Sequence, residues 1–264
     1  CYWQGCFGQD FGCNACGVMG ARIINSPRER LLAILTNSFV PCNGRFPALI
    51  SITTMFFAGT AITGMNSIIS AMLLSGIILF SIGMTFLSTR ILSHTLLKGV
   101  PSSFTLELPS YRMPQFKKVI IRSVFDRTLF VLGRAVSVAA PAGLVIWLFA
   151  NITINGSSLL NICAGFLNPL GNIMGMDGVI LMAFILGLPA NEIVLPLILM
   201  GYMAQGNLTE LSSLVKMKEI LTANGWTYIT AVSTIIFSLM HWPCSTTLIT
   251  IKKETGSLKW ALVA

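Results

Sequence analysis

The chain has 264 residues, 54% of them apolar and only 10% charged, with a mean hydropathy of +0.79. A soluble domain of this size needs a charged fraction of roughly 25%, whereas here the apolar residues gather in runs of about twenty, the length that crosses a hydrocarbon core. The composition excludes a soluble domain and predicts an all-α, polytopic membrane protein partnered by the lipid bilayer. The net charge of +8 does not imply nucleic acid, because the Lys and Arg residues fall almost entirely between the apolar runs, as the positive-inside rule describes.

Residues 1–20 are rich in glycine and cysteine and read as loop or broken helix. The opening CYWQGCFGQDFGCNACG has no initiator Met and no basic segment leading into an apolar one, so it is neither signal peptide nor natural start; the expectation is a fragment of a longer chain. Ser26-Pro27 followed by Glu29 predicts a helix start, with Ser as N-cap, Pro in the first turn and the acid facing the helix dipole. That helix runs into a first span, residues 31–59, interrupted at 41–47 by Pro41-Cys42-Asn43-Gly44-Arg45. A second span covers 68–89.

A long connection follows, carrying Arg90, Lys98, Arg112, Lys117, Lys118, Arg122 and Arg127 and broken by prolines. The loops at 60–67 and 151–175 hold no Lys or Arg, which places 90–127 in the cytoplasm. A third span covers 128–150, with Arg134 able to snorkel. Residues 157–173 read as a short interfacial helix. A fourth run, 178–203, is broken at Gly187-Leu188-Pro189-Ala190 and again near Pro196. An amphipathic piece, LTELSSLVKMKEIL, leads to a last run at 226–251, broken at Trp242-Pro243-Cys244. Either of these last two runs can be re-entrant.

The breaks repeat. VPCNGRFPALI at 40–50 and WPCSTTLITIKK at 242–253 share Pro-Cys followed by small polar residues. Upstream of each lies a break with Asn at its centre, Gly12-Cys13-Asn14 in one half and Pro189-Ala190-Asn191-Glu192 in the other. Interrupted helices in matching positions of two halves point to a transporter's binding site. A break in hydrocarbon frees backbone groups at several kcal/mol each unless something satisfies them. A half-helix beginning after Pro-Cys directs its positive end at the sulfur, favouring thiolate. Cys42, Cys244, an amide oxygen from Asn14 or Asn191, and the Glu192 carboxylate suit a divalent transition metal; Mg²⁺ and Ca²⁺ prefer oxygen alone.

Bland readings stand beside this one. A lone buried Cys is usually a small hydrophobe and a Pro in a span often only a kink, but an intramembrane acid such as Glu192 is a functional candidate by default. His241 is either a ligand or proton acceptor, or a structural residue. His94 reads as solvated, and Cys163 and the methionines as packing. Seven cysteines at irregular spacing make no disulfide framework, and the lone Cys13-Asn14-Ala15-Cys16 makes no zinc ribbon. No Ser-His-Asp set, HExxH or His cluster points to an enzyme.

These motifs, in this order, resemble the membrane portion of the ferrous iron transport protein B (FeoB) family. GCNACGVMGARIINSPRERLLAILTNSFVPCNGRFPALI is similar to its first Gate region, and LGLPANEIVLPLILM with SLMHWPCSTTLITIKKETGSLKWALVA to the second; TLLKGVPSSFTLELPSYRMPQFKKV is similar to the cytoplasmic connector. The resemblance implies two Gate-type repeats with interrupted transmembrane helices, divided as 1–59, 60–127 and 128–264. It implies ferrous-iron transport across the bacterial inner membrane, with Fe²⁺ as substrate, no stably bound cofactor, and a metal path at Cys42, Cys244, Glu192, Asn191, Cys13 and Asn14. Many members read Asn-Val-Pro-Ala where Asn14-Ala15-Cys16-Gly17 stands here. The family's N-terminal GTP-binding domain hydrolyses GTP with Mg²⁺, but no GxxxxGK[ST] occurs in this chain, so the expectation is a non-enzymatic transport half, also short of the family's C-terminal segment. Partners in that frame are the GTP-binding domain, small cytoplasmic Feo proteins and a second copy of the chain. A Gate-type nucleoside carrier and a non-transporting membrane scaffold are the alternatives.

Overall fold

The computed structural model describes residues 13–24, 26–58, 64–95, 97, 130–154, 157–203 and 214–264. Residues 1–12 of the expected N-terminal loop or broken helix (Gly12 among them), the connector at 98–127, the start of the amphipathic piece and the side chain of Arg134 lie outside what is described. Apart from one antiparallel pair of two-residue strands, β1 (Thr153–Ile154) and β2 (Ser157–Ser158), the described elements are helical.

Helix α1 (Asn14–Gly20) is followed by a 3₁₀ turn, Ala21–Ile23. Helix α2 (Pro27–Thr36) begins where Ser26-Pro27 predicts, because a proline at the first position gives up only an N–H that the helix would leave unpaired. The Ser26 side chain makes no capping bond, however, so proline and Glu29 define this start without the expected N-cap. A 3₁₀ turn at Asn37–Phe39 leads to the first break, after which α3 (Phe46–Thr53) runs into a π turn at Thr54–Ala58.

The long helix α4 (Gly64–Thr95) has leucine, isoleucine and methionine on most sides, and Met72, Leu79 and Phe86 remain exposed. Its small polar face turns inward: Ser81 and Thr85 are buried, and Ser81 donates to the Phe39 carbonyl beside the first break. Arg28 of α2 caps the far end, donating through Nε to the Leu97 carbonyl at 2.5 Å, where the negative end of the helix dipole favours a cation.

Helix α5 (Phe130–Asn151) corresponds to the third expected span and tolerates Pro141 internally. Helices α6 (Leu159–Ile173) and α7 (Gly178–Leu186) meet at 109°. Their turn is dense: a Cβ on Gly178 would stand 1.9 Å from the Ala164 carbonyl oxygen, so only glycine fits. Asp177 caps α7 through Ile180 N and accepts from Tyr202, which in turn accepts from Trp226 Nε1 at 2.7 Å. The expected interfacial helix is therefore one arm of a bent pair.

The fourth run breaks at Gly187–Ala190 as predicted, followed by a 3₁₀ turn at Asn191–Ile193 and α8 (Val194–Met203). It does not break at Pro196. That proline stands in the first turn of α8, where its missing N–H is no loss. Helix α9 (Leu214–Ala223) precedes α10 (Tyr228–Met240), the second Pro-Cys break, α11 (Ser245–Thr255) and α12 (Leu258–Val263).

By length and composition, Ile68–Thr95 and Tyr228–Thr255 can each cross a membrane, and the α6–α7 pair makes a third if counted as one span. The core joins the two halves of the chain. Leu49 and Ile52 of α3 and Met55 of the π turn pack among Ile180, Phe184, Leu197, Ile198, Ile235 and Leu239 of the second half. A smaller cluster sets Val18 of α1 and Ile34 of α2 against Ile251 of α11 and Ala261 of α12.

Candidate functional site

The first break follows from its sequence. After Phe39 the chain extends at Val40, and Pro41 has no N–H with which to continue a helix. Cys42 to Arg45 close a turn in which Arg45 N donates to the Cys42 carbonyl at 2.9 Å, and α3 starts at Phe46. At the second break His241 and Cys244 are both extended around Pro243, and Cys244 occupies the N-cap position of α11.

Tertiary contacts bring these segments together. Asn191 Nδ2 points at Cys42 Sγ at 3.9 Å, joining the Asn break of the second half to the Pro-Cys break of the first. Ser245 N donates to the Leu188 carbonyl at 2.9 Å, joining the two breaks of the second half. A Cβ on Gly44 would stand 3.0 Å from Glu192 Cγ and 3.4 Å from its Oε1, so glycine at 44 lets the exposed carboxylate lie over the turn beside Cys42. In the first half, Asn37 Nδ2 donates to the Asn14 carbonyl at 2.7 Å and anchors the start of α1.

At the centre lies Arg45, 1% exposed. Its Nη1 donates to the carbonyls of Ser38 at 3.0 Å and Leu239 at 3.2 Å, and its Nη2 to those of His241 and Trp242, both at 3.4 Å. These are carbonyls where the two interrupted helices stop, left without partners within the helices themselves. The charge of Arg45 also acts on both Cys42 and Cys244. Among the described residues the one ion pair is Arg22–Glu254, so backbone oxygens rather than a carboxylate hold this buried guanidinium.

His241 is buried, its Nδ1 set 2.9 Å from the Ser238 carbonyl and its ring between Phe184 and Phe237. That is the position of a structural residue. Cys244 Sγ lies 3.2 Å from Thr247 Oγ1, and the free thiols of Cys13 and Cys16 face each other within hydrogen-bond reach at the start of α1. A cavity of about 10 Å³, bounded in part by Arg45, Asn191, Ser238 and His241, has the room of one water molecule.

Of the six residues expected from sequence, Cys42, Asn191 and Glu192 form one group around the first break. Cys244 shares the field of Arg45 with it, while Cys13 and Asn14 stand at the N-terminus of α1, which packs on α11. Among the described residues no three His, Cys, Asp or Glu side chains are close enough together to hold a metal ion. Five buried side-chain polar atoms among those residues find no hydrogen-bond partner within the protein, and four belong to the breaks: Asn14 Oδ1, Arg45 Nε, Trp242 Nε1 and Ser245 Oγ. Sequence reasoning left Arg45 out of the site. The signal was a cation in the middle of an apolar run, directly after Pro-Cys.

A helical membrane protein with two Pro-Cys breaks joined around one buried cation belongs to the class whose spans are interrupted where they meet. Residues 67–126 match the family described as "Ferrous iron transport protein B C terminus". The chain is 29% identical to the Fe(2+) transporter FeoB of Staphylococcus aureus (strain COL), over 96% of this chain and 36% of that protein. It is 28% identical to the FeoB of Methanocaldococcus jannaschii, over 96% of this chain and 37% of that protein. For the FeoB of Synechocystis sp. the identity is 29%, over 96% and 39%. No solved structure matches. The chain is thus similar along nearly its whole length to FeoB proteins, and it spans little more than a third of the length of these relatives.

Proposed function

We propose that the chain forms part of a path for ferrous iron across the bacterial inner membrane, with the ion handled where the two Pro-Cys breaks meet. In this reading the segments 1–59 and 128–264 are paired Gate-type repeats, joined by a cytoplasmic connector within 60–127. The observation that carries it is the concentration of partnerless buried polar atoms at the breaks. Native interiors leave few such groups, and each calls for an explanation; in this reading the water carried by a transient ion accepts from Arg45 Nε and Trp242 Nε1, and the ion with its water meets the oxygens of Asn14 and Ser245.

Iron(II) would shed part of its water against the sulfurs of Cys42 and Cys244, the Glu192 carboxylate and the Asn191 amide. Cys13 and Asn14 serve the adjoining break at the start of α1. Binding draws the thiol protons off, since the thiolate is the ligand, and negative ligands bring the ion close to neutrality inside hydrocarbon. The Asn191–Cys42 contact links the two halves, so relative movement of the halves opens or closes this group of ligands. The family resemblance adds control by a GTP-binding domain of the full-length protein.

Uptake of radioactive iron(II) tests the reading, in cells lacking their own transporter, with manganese(II) and zinc(II) as competitors. The full-length protein containing this chain is compared with Cys42→Ser, Cys244→Ser and Glu192→Gln. Loss of uptake at normal expression in at least one variant is expected. Unchanged uptake in all three would remove these side chains from the path.

A further inference from the structure

The four carbonyls around Arg45 are what an unliganded cation site would offer. Those of Leu239, His241 and Trp242 end one interrupted helix, and that of Ser38 ends the other. Helix C-termini carry partial negative charge, and unwound carbonyls at such ends coordinate cations in other broken-helix membrane proteins. The guanidinium fills that place with a charge the protein carries permanently. Its sequence neighbours, Cys42 and Gly44 beneath Glu192, belong to the proposed path.

We infer that Arg45 is a tethered competitor for the transported cation: it occupies the carbonyl ends of both breaks when no ion is bound and leaves them when one arrives. The inference rests on the reading that a divalent cation binds at the breaks. Two consequences follow. The ion meets a site already neutralised, so it must bind strongly enough to displace the four hydrogen bonds of Nη1 and Nη2 and overcome the guanidinium charge, which favours a divalent ion with thiolate ligands over a monovalent one. Displacement also unlatches Ser38 from Leu239–Trp242, so arrival of the ion loosens the junction that holds the two halves together.

Manganese(II), a redox-stable probe, distinguishes this role from a purely structural one by the sign of the effect. The purified full-length protein in detergent is titrated calorimetrically as wild type, Arg45→Gln and Arg45→Lys. Gln keeps an N–H donor for the carbonyls but removes the competing charge, so Arg45→Gln is expected to bind Mn²⁺ about ten-fold or more tightly. Arg45→Lys keeps the charge and stays within about three-fold of wild type. Weaker or unchanged binding in Arg45→Gln, with wild type binding normally, overturns the inference alone and leaves the ion site standing. No binding by any of the three overturns the ion site and the inference with it. Hydrogen exchange on the wild type gives a second reading that needs no variant. Saturating Mn²⁺ should speed exchange at amides 38–45 and 240–245, and slowed or unchanged exchange there refutes displacement.

Discussion

The two Pro-Cys breaks look equivalent in sequence and play unlike parts in the structure. The first, at Val40–Arg45, brings its own cation and lays it across the gap; the second, at His241–Cys244, brings open carbonyls and a histidine held between Phe184 and Phe237. The first is flanked by short helices, α2 and α3, whereas α10 and α11 together make one segment of 28 residues, long enough to cross a membrane. Repetition thus supplied two similar breaks, and one residue made them complementary. A donor in one half matched by acceptors in the other joins the halves, which two copies of either break would not do.

The sharpest way to break this complementarity is Arg45→Leu. It leaves four carbonyls without their donors, each unsatisfied buried acceptor costing about 1–3 kcal/mol, and is expected to destabilise the protein strongly or prevent its accumulation, read from thermal unfolding in detergent. An unfolding temperature equal to wild type would show that the two breaks do not depend on each other. Next comes Gly44→Ala. The added Cβ meets Glu192 Cγ at 3.0 Å, so the exposed carboxylate must shift away from the turn, with little cost in stability and a several-fold fall in iron(II) uptake expected. Uptake at the wild-type rate would detach Glu192 from the first break.

Trp242→Phe probes the second break alone. It removes the partnerless Nε1 while retaining the ring that meets Phe237 and His241 edge-on, and a gain of about 1 kcal/mol in stability is expected. A loss of stability would mean that the indole N–H has a partner in the native protein. The smallest effect belongs to Arg22→Ala, away from both breaks. The Arg22–Glu254 pair, at 2.5 Å, joins the ends of α1 and α11 on an exposed face, and Glu254 holds the guanidinium pKa above its ordinary value. Exposed pairs contribute about 0–1 kcal/mol, so Arg22→Ala should shift the unfolding midpoint slightly and fade into wild type at high salt.

The positions of the helices and breaks were legible because they follow from local chemistry. Prolines at 41, 189 and 243 remove N–H groups wherever they stand, and the apolar run from Ile68 needs no partner to be helical. Pro196 was misread because the effect of a proline depends on its place in the helix, and in the first turn it does no harm. Ser26 stands at a helix start without bonding to it, since a capping side chain needs the right rotamer as well as the right position. The 109° bend between α6 and α7 was not legible either, because it depends on Gly178 meeting Ala164 across the turn.

For the site, the sequence alone determined which residue types interrupt the spans, that they recur in both halves, and that Cys42, Cys244, Asn191 and Glu192 lie at or beside breaks. Spacing along one chain carries that information, since breaks and apolar runs are local properties. Only the tertiary structure decided that Asn191 faces Cys42 and that Glu192 lies over Gly44. It alone set Arg45 against Leu239, His241 and Trp242, nearly two hundred residues away. A buried charge must find whatever acceptors the packed halves leave open, and those acceptors are backbone oxygens. Every residue carries one, so no side-chain pattern in the sequence could have named them.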